Sequence, residues 1–566
     1  MPVITYNYSS DLIMKHKLLV LAALSSFFIL TNSFAQHTLQ LDDGLGHYSI
    51  LTASNPGGTY ILPPGGGTLL TSLSLSGTVW MLGGNTISSG VEDSTNVIGT
   101  VAASTLTSVH LIVKGVDAVR YDSGSTPNII GGYRENTIIT PGTVANFIGN
   151  GGADTITGGN ANFIGSGFGH MIRAAYNYSD INVITGGYYN SIHCDSAGYV
   201  SGINFIGGGI YNQANGGPTS SVQWSGVNVV GGGYSNTAAG DSGNFSGFNA
   251  VLGGQYNQAK GGTQVNSGYN SVGGGYNNNA DAGRGHGLVG GNTIGGGEYN
   301  YASGGSAHSG AFGINGANAI AGGYSNNASD NDTGDWSGAN FIGGGSYNSA
   351  YGSRGYNSGG NSIGGGYFSR AYGSAGGESG YNTVAGGYGN SNWGSIGLNS
   401  GFNTIGGGQN NLDTGGTGGN SGWNVIAGGA GNNATGNASY ASGLNTIGGG
   451  SSNNAHGGSG GGGSFQTAGA NTISGGYLNS AFGDNNPGIG GPSGYNSIGG
   501  GYTNNAIGGS GDGSGGNSIG GGAFNENFGS TGYNSGWNSI GGGYFNRSYG
   551  GGRFAFWVQC DRRRNK

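Results

Sequence analysis

Close copies of one stretch, Asn270-Ser271-Val272-Gly273-Gly274-Gly275-Tyr276-Asn277-Asn278-Asn279-Ala280, return until near the end of the chain, and this period constrains the fold more than any other property. The first Asn of each copy falls at Asn182, Asn204, Asn228, Asn249, Asn270, Asn292, Asn318, Asn340, Asn361, Asn382, Asn403, Asn424, Asn445, Asn471, Asn496, Asn517 and Asn538. The commonest interval is 21 residues, and the exceptions are longer by one to five. A fixed period in this range marks a repeat architecture, in which each unit buries its apolar residues only against its neighbours.

With that Asn as position zero, position two is Ile or Val in every unit from the second on: Ile206, Val230, Val251, Val272, Ile294, Ile320, Ile342, Ile363, Val384, Ile405, Ile426, Ile447, Ile473, Ile498, Ile519 and Ile540. A strand alternates its faces, so this β-branched residue is expected to plug the interior while position one, more often than not Ser or Thr, points outward. The next three positions are mostly Gly, which permits positive φ where a coil turns a corner. Position ten is frequently Ala, as in Ala280, Ala371, Ala434 and Ala455, and allows backbones to approach closely. An aromatic residue often precedes the Asn (Phe248, Tyr269, Tyr381, Phe402, Trp423, Tyr495, Trp537) and is expected to stack from coil to coil at about 4.8 Å. The fold class predicted is therefore an all-β, Gly-rich parallel β-solenoid, or β-roll, of about 21-residue coils.

The core this pattern yields is thin. One β-branched residue, one Ala and one aromatic per coil bury little apolar surface, at roughly 25 cal/mol per Å², against the ordering entropy of many glycines. Many coils in series, or several chains packing their aromatic or Ile rows together as a homotrimer, would offset this.

Composition removes the competing classes. Glycine fills 137 of 566 positions, charged residues only 7%, and 33 Tyr accompany only nine Pro, which fits neither charge-rich disorder nor collagen. Net charge is −7 with Lys and Arg scattered, apart from Arg562-Arg563-Arg564, so no nucleic-acid footprint exists. Cys194 and Cys560 form no metal or redox motif. Met14-Lys15-His16-Lys17, the apolar run Leu18 to Leu30 and Ser33-Phe34-Ala35 have the three regions of a secretory signal, with cleavage expected after Ala35 and residues 1–13 read as an over-extended start. No later stretch is apolar enough to span a membrane.

The expected organisation is thus a signal at 1–35, a short-strand β region at 36–127, irregular repeats at 128–181, the regular array at 182–550 and a non-repeat tail at 551–566, read as a possible truncation. Insertions in Asn292 to Asn318 and Asn445 to Asn471 are expected on one face of the solenoid.

Sites for chemistry are hard to find. No Gly-rich string is followed by Lys-Ser/Thr, the nine His show no metal-ligand spacing and no Ser sits in a nucleophile elbow, so neither catalytic nor cofactor-binding residues are assigned and no cofactor is expected. Asp330, Asp332 and Asp335 offer closely spaced oxygens as in a calcium loop, without its closing Glu, and a solvated acidic turn is the plainer reading. Tyr276, Tyr324, Tyr367, Tyr388, Tyr477, Tyr502 and Tyr544 recur at position six and form either an exposed adhesive stripe or a cap between coils or chains.

Ala350-Tyr351-Gly352-Ser353 leading into Asn361-Ser362-Ile363-Gly364-Gly365-Gly366 resembles the head repeats of the YadA-like trimeric autotransporter adhesins, and Thr59-Tyr60-Ile61-Leu62-Pro63 with Thr126-Pro127-Asn128-Ile129-Ile130-Gly131-Gly132-Tyr133 is similar to segments of bacterial surface and phage tail-fibre-like proteins. The family's coil is nearer fourteen residues, its Ala-x-Gly-x-x-Ser is matched loosely, and no heptad stalk or C-terminal barrel follows. The resemblance implies an exported homotrimer on the outer surface of a Gram-negative bacterium. Such a chain would act without enzymatic activity, as a fibre whose many weak contacts bind extracellular matrix, host cells or neighbouring cells. A purely structural spacer or tail-fibre-like component is the alternative, and an ice- or surface-binding solenoid a third.

Overall fold

The computed structural model describes four short strands between 40 and 69, the hairpin 108–113 and 116–122, and residues 126–550 apart from 140–143, 175–180, 195–202, 217–226, 241–246, 263–267, 283–286, 289–290, 305–312, 315–316, 331–338, 353–359, 374–376, 378–379, 395, 397, 418, 438–443, 458–469, 484–494, 510–515 and 530–537. The signal segment, the tail, Cys560, Asp332 and Asp335 lie outside the described residues. Residues 1–99 form one unit and 100–566 another. Within the first, Gln40–Asp42 pairs antiparallel with Tyr48–Ile50, and Tyr60–Ile61 with Thr68–Leu69.

The second unit is a parallel β-solenoid whose coils stack along two ladders of strands. Positions one and two of each coil make a two-residue strand, such as Ser271–Val272, paired in register with Ala250–Val251 before it and Thr293–Ile294 after it. Positions nine to eleven make a second strand, such as Asn279–Asp281, paired with Gln258–Lys260 and Tyr301–Ser303. Between them position six forms single bridges, as in Gln255 to Tyr276 to Glu298. Coil stacking follows this register through all the longer intervals, so the extra residues of Asn292 to Asn318 and Asn445 to Asn471 fall in the connection after the second strand and leave both ladders intact.

The irregular copies are full rungs. Asn128–Gly131 carries Ile130, and Phe147–Ile148 and Phe163–Ile164 continue the same ladder into Val183–Ile184. The ladder is covered at its start by the antiparallel hairpin Ser108–Val113 and Val116–Asp122, the second strand of which pairs with Asn128–Gly131. This hairpin shields the first edge, which would otherwise present unpaired N–H and C=O groups.

Burial follows the alternation expected of strands. All sixteen predicted plugs, from Ile206 to Ile540, are at most 1% exposed. They lie inside each coil, so the Ile row needs no second chain to cover it, contrary to one of the two rows proposed for a trimer contact. Position ten faces them with Ile156, Ile172 and Ile192 in the first coils and Ala from Ala214 to Ala371, all buried.

The interior is not thin in the way the apolar pattern suggests, because two rows of Asn fill the rest of it. Asn270 at position zero donates from Nδ2 to Oδ1 of Asn249 (2.9 Å) and to the Lys260 carbonyl (2.6 Å), while its own Oδ1 accepts from Asn292 Nδ2 (3.0 Å). Asn278 at position eight donates to the carbonyls of Gly274 and Gly297 (2.8 Å each), and its Oδ1 accepts the backbone N–H of Asn300 (3.0 Å). The Asn278 amide gives the Gly274 carbonyl its donor and joins the Tyr276 N–H at the Gly297 carbonyl, and the Asn270 amide joins the Ala282 N–H at the Lys260 carbonyl, where a buried group left without a partner would cost about 1–3 kcal/mol.

Candidate functional site

The corner between the two strands sets the surface. Gly275 at position five has φ +92° and a Cβ there would collide with the Gly297 carbonyl, so this glycine is obligatory. Position seven is also left-handed, yet the residues there are frequently large: Tyr189 (φ 51°), Tyr211 (56°), Tyr256 (56°), Tyr299 (54°), Tyr347 (55°) and Phe368 (54°). Gly389, Gly431, Asn277 and Asn410 occupy the same place in other coils, as left-handed geometry would favour. An aromatic side chain in this conformation costs about 1–2 kcal/mol relative to the right-handed region. In most coils the Asn at position eight binds the position-four carbonyl of its own coil and the position-five carbonyl of the next beneath this corner, while Ser369 follows Phe368 and the corner stays left-handed there too.

Aromatic residues alternate between positions six and seven. Starting at Tyr211, the order is Tyr211 (seven), Tyr234 (six), Tyr256 (seven), Tyr276 (six), Tyr299 (seven), Tyr324 (six), Tyr347 (seven) and Tyr367 (six), with each ring 5.3–5.9 Å from the next and nearly perpendicular to it. Phe168, Tyr188 and Tyr189 lead into this run and Tyr388 ends it. Apart from the half-buried Tyr276, its members are 36–47% exposed. The result is a continuous aromatic stripe along one face from Phe168 to Tyr388. It then stops: the equivalent pairs are Gln409-Asn410, Ala430-Gly431 and Ser451-Ser452, before rings return at Tyr477, Tyr502, Phe524 and Tyr544.

Of the seven tyrosines singled out at position six, the structure places Tyr324, Tyr367, Tyr388, Tyr477, Tyr502 and Tyr544 on the exposed surface. The position-seven half of the stripe was missed, although Tyr and Phe recur there beside the position-six residues. Phe248–Tyr269, Tyr381–Phe402 and Phe402–Trp423 stack at 4.9–5.1 Å as the sequence pattern predicts.

Titratable groups sit in the interior rows at positions eight and ten. At position eight Asp154 and His170 replace Asn: Asp154 Oδ1 accepts the His170 backbone N–H (2.8 Å) and His170 Nδ1 that of Asn190 (3.2 Å). Burial pushes the Asp154 carboxyl up to about 6, against the smaller pull of the His170 N–H, and pushes His170 below its ordinary value. At position ten Asp413 is fully buried where neighbouring coils have Asn392 or Ala434, and desolvation drives its carboxyl far above the usual range, against the lesser pull of Asn424 and Thr404. These groups occupy interior ladder positions with no opening to a substrate.

Of the acidic triplet, only Asp330 is among the described residues. Asp330 is 3% exposed at the end of strand Asn327–Asp330, so its side chain belongs to the interior rather than to a solvated turn. Among the described residues no three His, Cys, Asp or Glu converge on a point that could hold a metal ion, and no helix is long and apolar enough to cross a membrane. Cys194 is buried with its sulfur 3.2 Å from Asn204 Nδ2. No protein-family model matches the chain, and no curated protein matches it.

Proposed function

We propose that the chain is an exported, non-enzymatic, adhesin-like fibre of the outer cell surface whose working face is the aromatic stripe from Phe168 to Tyr388. The observation that carries this reading is that aromatic side chains occupy the left-handed position seven against their conformational preference, on the outside, where they support no interior contact. Tyr supplies rigid contact area with a polar tip, and a row of equivalent rings turns weak single contacts into avidity, which can exceed each affinity by about 10²–10⁴. The partner is extracellular matrix, a host cell or a neighbouring cell.

The test is attachment of the full chain to matrix-coated surfaces and to cells, compared with a Tyr256→Ser/Tyr299→Ser/Tyr347→Ser variant. Loss of attachment with an unchanged melting temperature supports the proposal, and retained attachment refutes it. The exposure of so many rings also favours a second reading, in which the stripe is the contact of a homotrimer and the fibre is a spacer. Mass in solution separates the two: a trimer that the triple variant dissociates, with no surface binding, selects the spacer.

A further inference from the structure

The hairpin that covers the first coil carries a constellation of its own. Ser108 and His110 stand two residues apart on strand Ser108–Val113 and so share one face, and Ser108 Oγ lies 2.7 Å from His110 Nε2. On the other side of the ring, His110 Nδ1 lies 3.0 Å from Asp117 Oδ1. Alternation from Asp122 and Arg120, which pair with Ser108 and His110, would put Asp117 on the opposite face. A bulge at Ala118, where the register shifts between Leu111 and Ile112, instead sets Asp117 opposite Ile112 and turns it towards His110. A carboxylate only accepts, so the proton of the neutral ring sits on Nδ1 and Nε2 receives the Ser108 hydroxyl. Arg120 faces His110 across the hairpin, with Nε 2.9 Å from Asp122 Oδ1, and brings further guanidinium donors to the same face.

We propose that Ser108, His110 and Asp117 are the nucleophile, general base and orienting carboxylate of a site that hydrolyses carboxylic esters. Such a triad is identified by its geometry, not by a nucleophile elbow or by chain order. Ser108 Oγ attacks the ester carbonyl carbon while His110 Nε2 takes its proton, and the Arg120 donors stabilise the oxyanion that forms. Collapse of the tetrahedral species breaks the bond to the alcohol oxygen, which leaves with the proton from Nε2 while the acyl group stays on Ser108. A water then gives a proton to Nε2 and adds to the acyl carbon, and Ser108 Oγ departs with that proton. Ester and water thus become acid and alcohol, with the three side chains restored. Ser108 and Asp117 are half-buried, His110 is exposed, and Ile112 on the same face is 58% exposed. An ester carried on a larger molecule therefore has access, and a short acyl group meets an apolar side chain. The aromatic stripe begins at Phe168, so this site lies outside the face assigned to attachment, and it gives one element of an otherwise non-enzymatic fibre a chemistry of its own.

The full chain is treated with a fluorophosphonate, which transfers its phosphonyl group to an activated serine with loss of fluoride, and separately with para-nitrophenyl acetate. The expected result is a phosphonyl adduct on Ser108, located by mass spectrometry and absent from the guanidinium-unfolded chain. Hydrolysis of the acetate is expected to fall by about 10²-fold or more in Ser108→Ala, His110→Phe and Asp117→Asn. Because the adduct is read on the unaltered chain, a variant that misfolds does not blunt the test. No adduct on Ser108, an equal adduct in the unfolded chain, or hydrolysis unchanged by Ser108→Ala would overturn the proposal.

Discussion

The coils that hold Tyr276 to Tyr388 and those that hold Gln409 to Ser452 share one interior plan, varied at Ser369, Asn392 and Asp413, and have different outsides. In both, the plugs are buried (Ile294, Ile363, Ile405, Ile447), the position-zero amides are bonded (Asn292 to Asn270 at 3.0 Å, Asn445 to Asn424 at 2.9 Å) and the position-eight amides bridge the corner (Asn278 to Gly297 at 2.8 Å, Asn432 to Gly450 at 3.1 Å). Only the first group carries rings at positions six and seven. Three successive coils without them keep the plugs and both Asn rows, so the stripe is not what makes a coil fold. Interior residues answer to the solenoid, and the surface row is free to answer to something else.

The comparison breaks first if the Asn rows do not matter equally in the two regions. Asn278→Ala and Asn432→Ala each strip one carbonyl of its donor, another of one of its two donors, and one N–H of its acceptor, and both are expected to cost about 2–5 kcal/mol. Local hydrogen exchange and limited proteolysis would report this opening without requiring all-or-none unfolding of the array. Next come the plugs: Ile294→Ala and Ile426→Ala should each cost about 2–5 kcal/mol, with the difference between regions smaller than that spread.

A smaller effect of opposite sign belongs to the gap region. Asp413 has a folded pKa above its unfolded one, so its contribution favours the fold below pH about 4 and is progressively lost as pH rises from the unfolded value toward the folded one. Asp413→Asn should therefore raise thermal stability at neutral pH and flatten that loss above about pH 4. Asp154, raised to about 6, gives the same sign in the first coils over a narrower window, from about 4 to about 6, and Asp154→Asn should remove it. Melting curves of the two variants across pH check both. Smallest of all, Tyr256→Asn relieves a left-handed aromatic but forfeits ring pairs worth about 0.5–1.5 kcal/mol, so its melting temperature should hardly move.

Much of this scaffold was legible in the sequence. Strand alternation from a fixed Asn identified the plug row, and the 21-residue interval gave the coil. The Asn rows were not read as structure, because apolar periodicity is blind to a buried amide: Asn278 stands eight residues after Asn270 in plain view, but its meaning lies in a carbonyl nineteen residues further on, Gly297. Asp330 was misplaced for the same reason, since a charged residue near glycines reads as a turn until the pairing of Asn327–Asp330 with Ser349–Gly352 turns it inward. The stripe was half legible. Position six repeats on a fixed beat, whereas position seven is aromatic mainly where position six is not, and only the left-handed corner merges the two into one row.

The most direct measurement is surface attachment of the full chain alongside two variants, one with Tyr256, Tyr299 and Tyr347 changed to Ser and one with Gln409, Ala430 and Ser451 changed to Tyr. If the stripe is the working face on an indifferent scaffold, attachment falls in the first and rises in the second while both melt like the parent. Attachment that ignores both changes, or a melting temperature that collapses with the loss of the rings, would contradict that account.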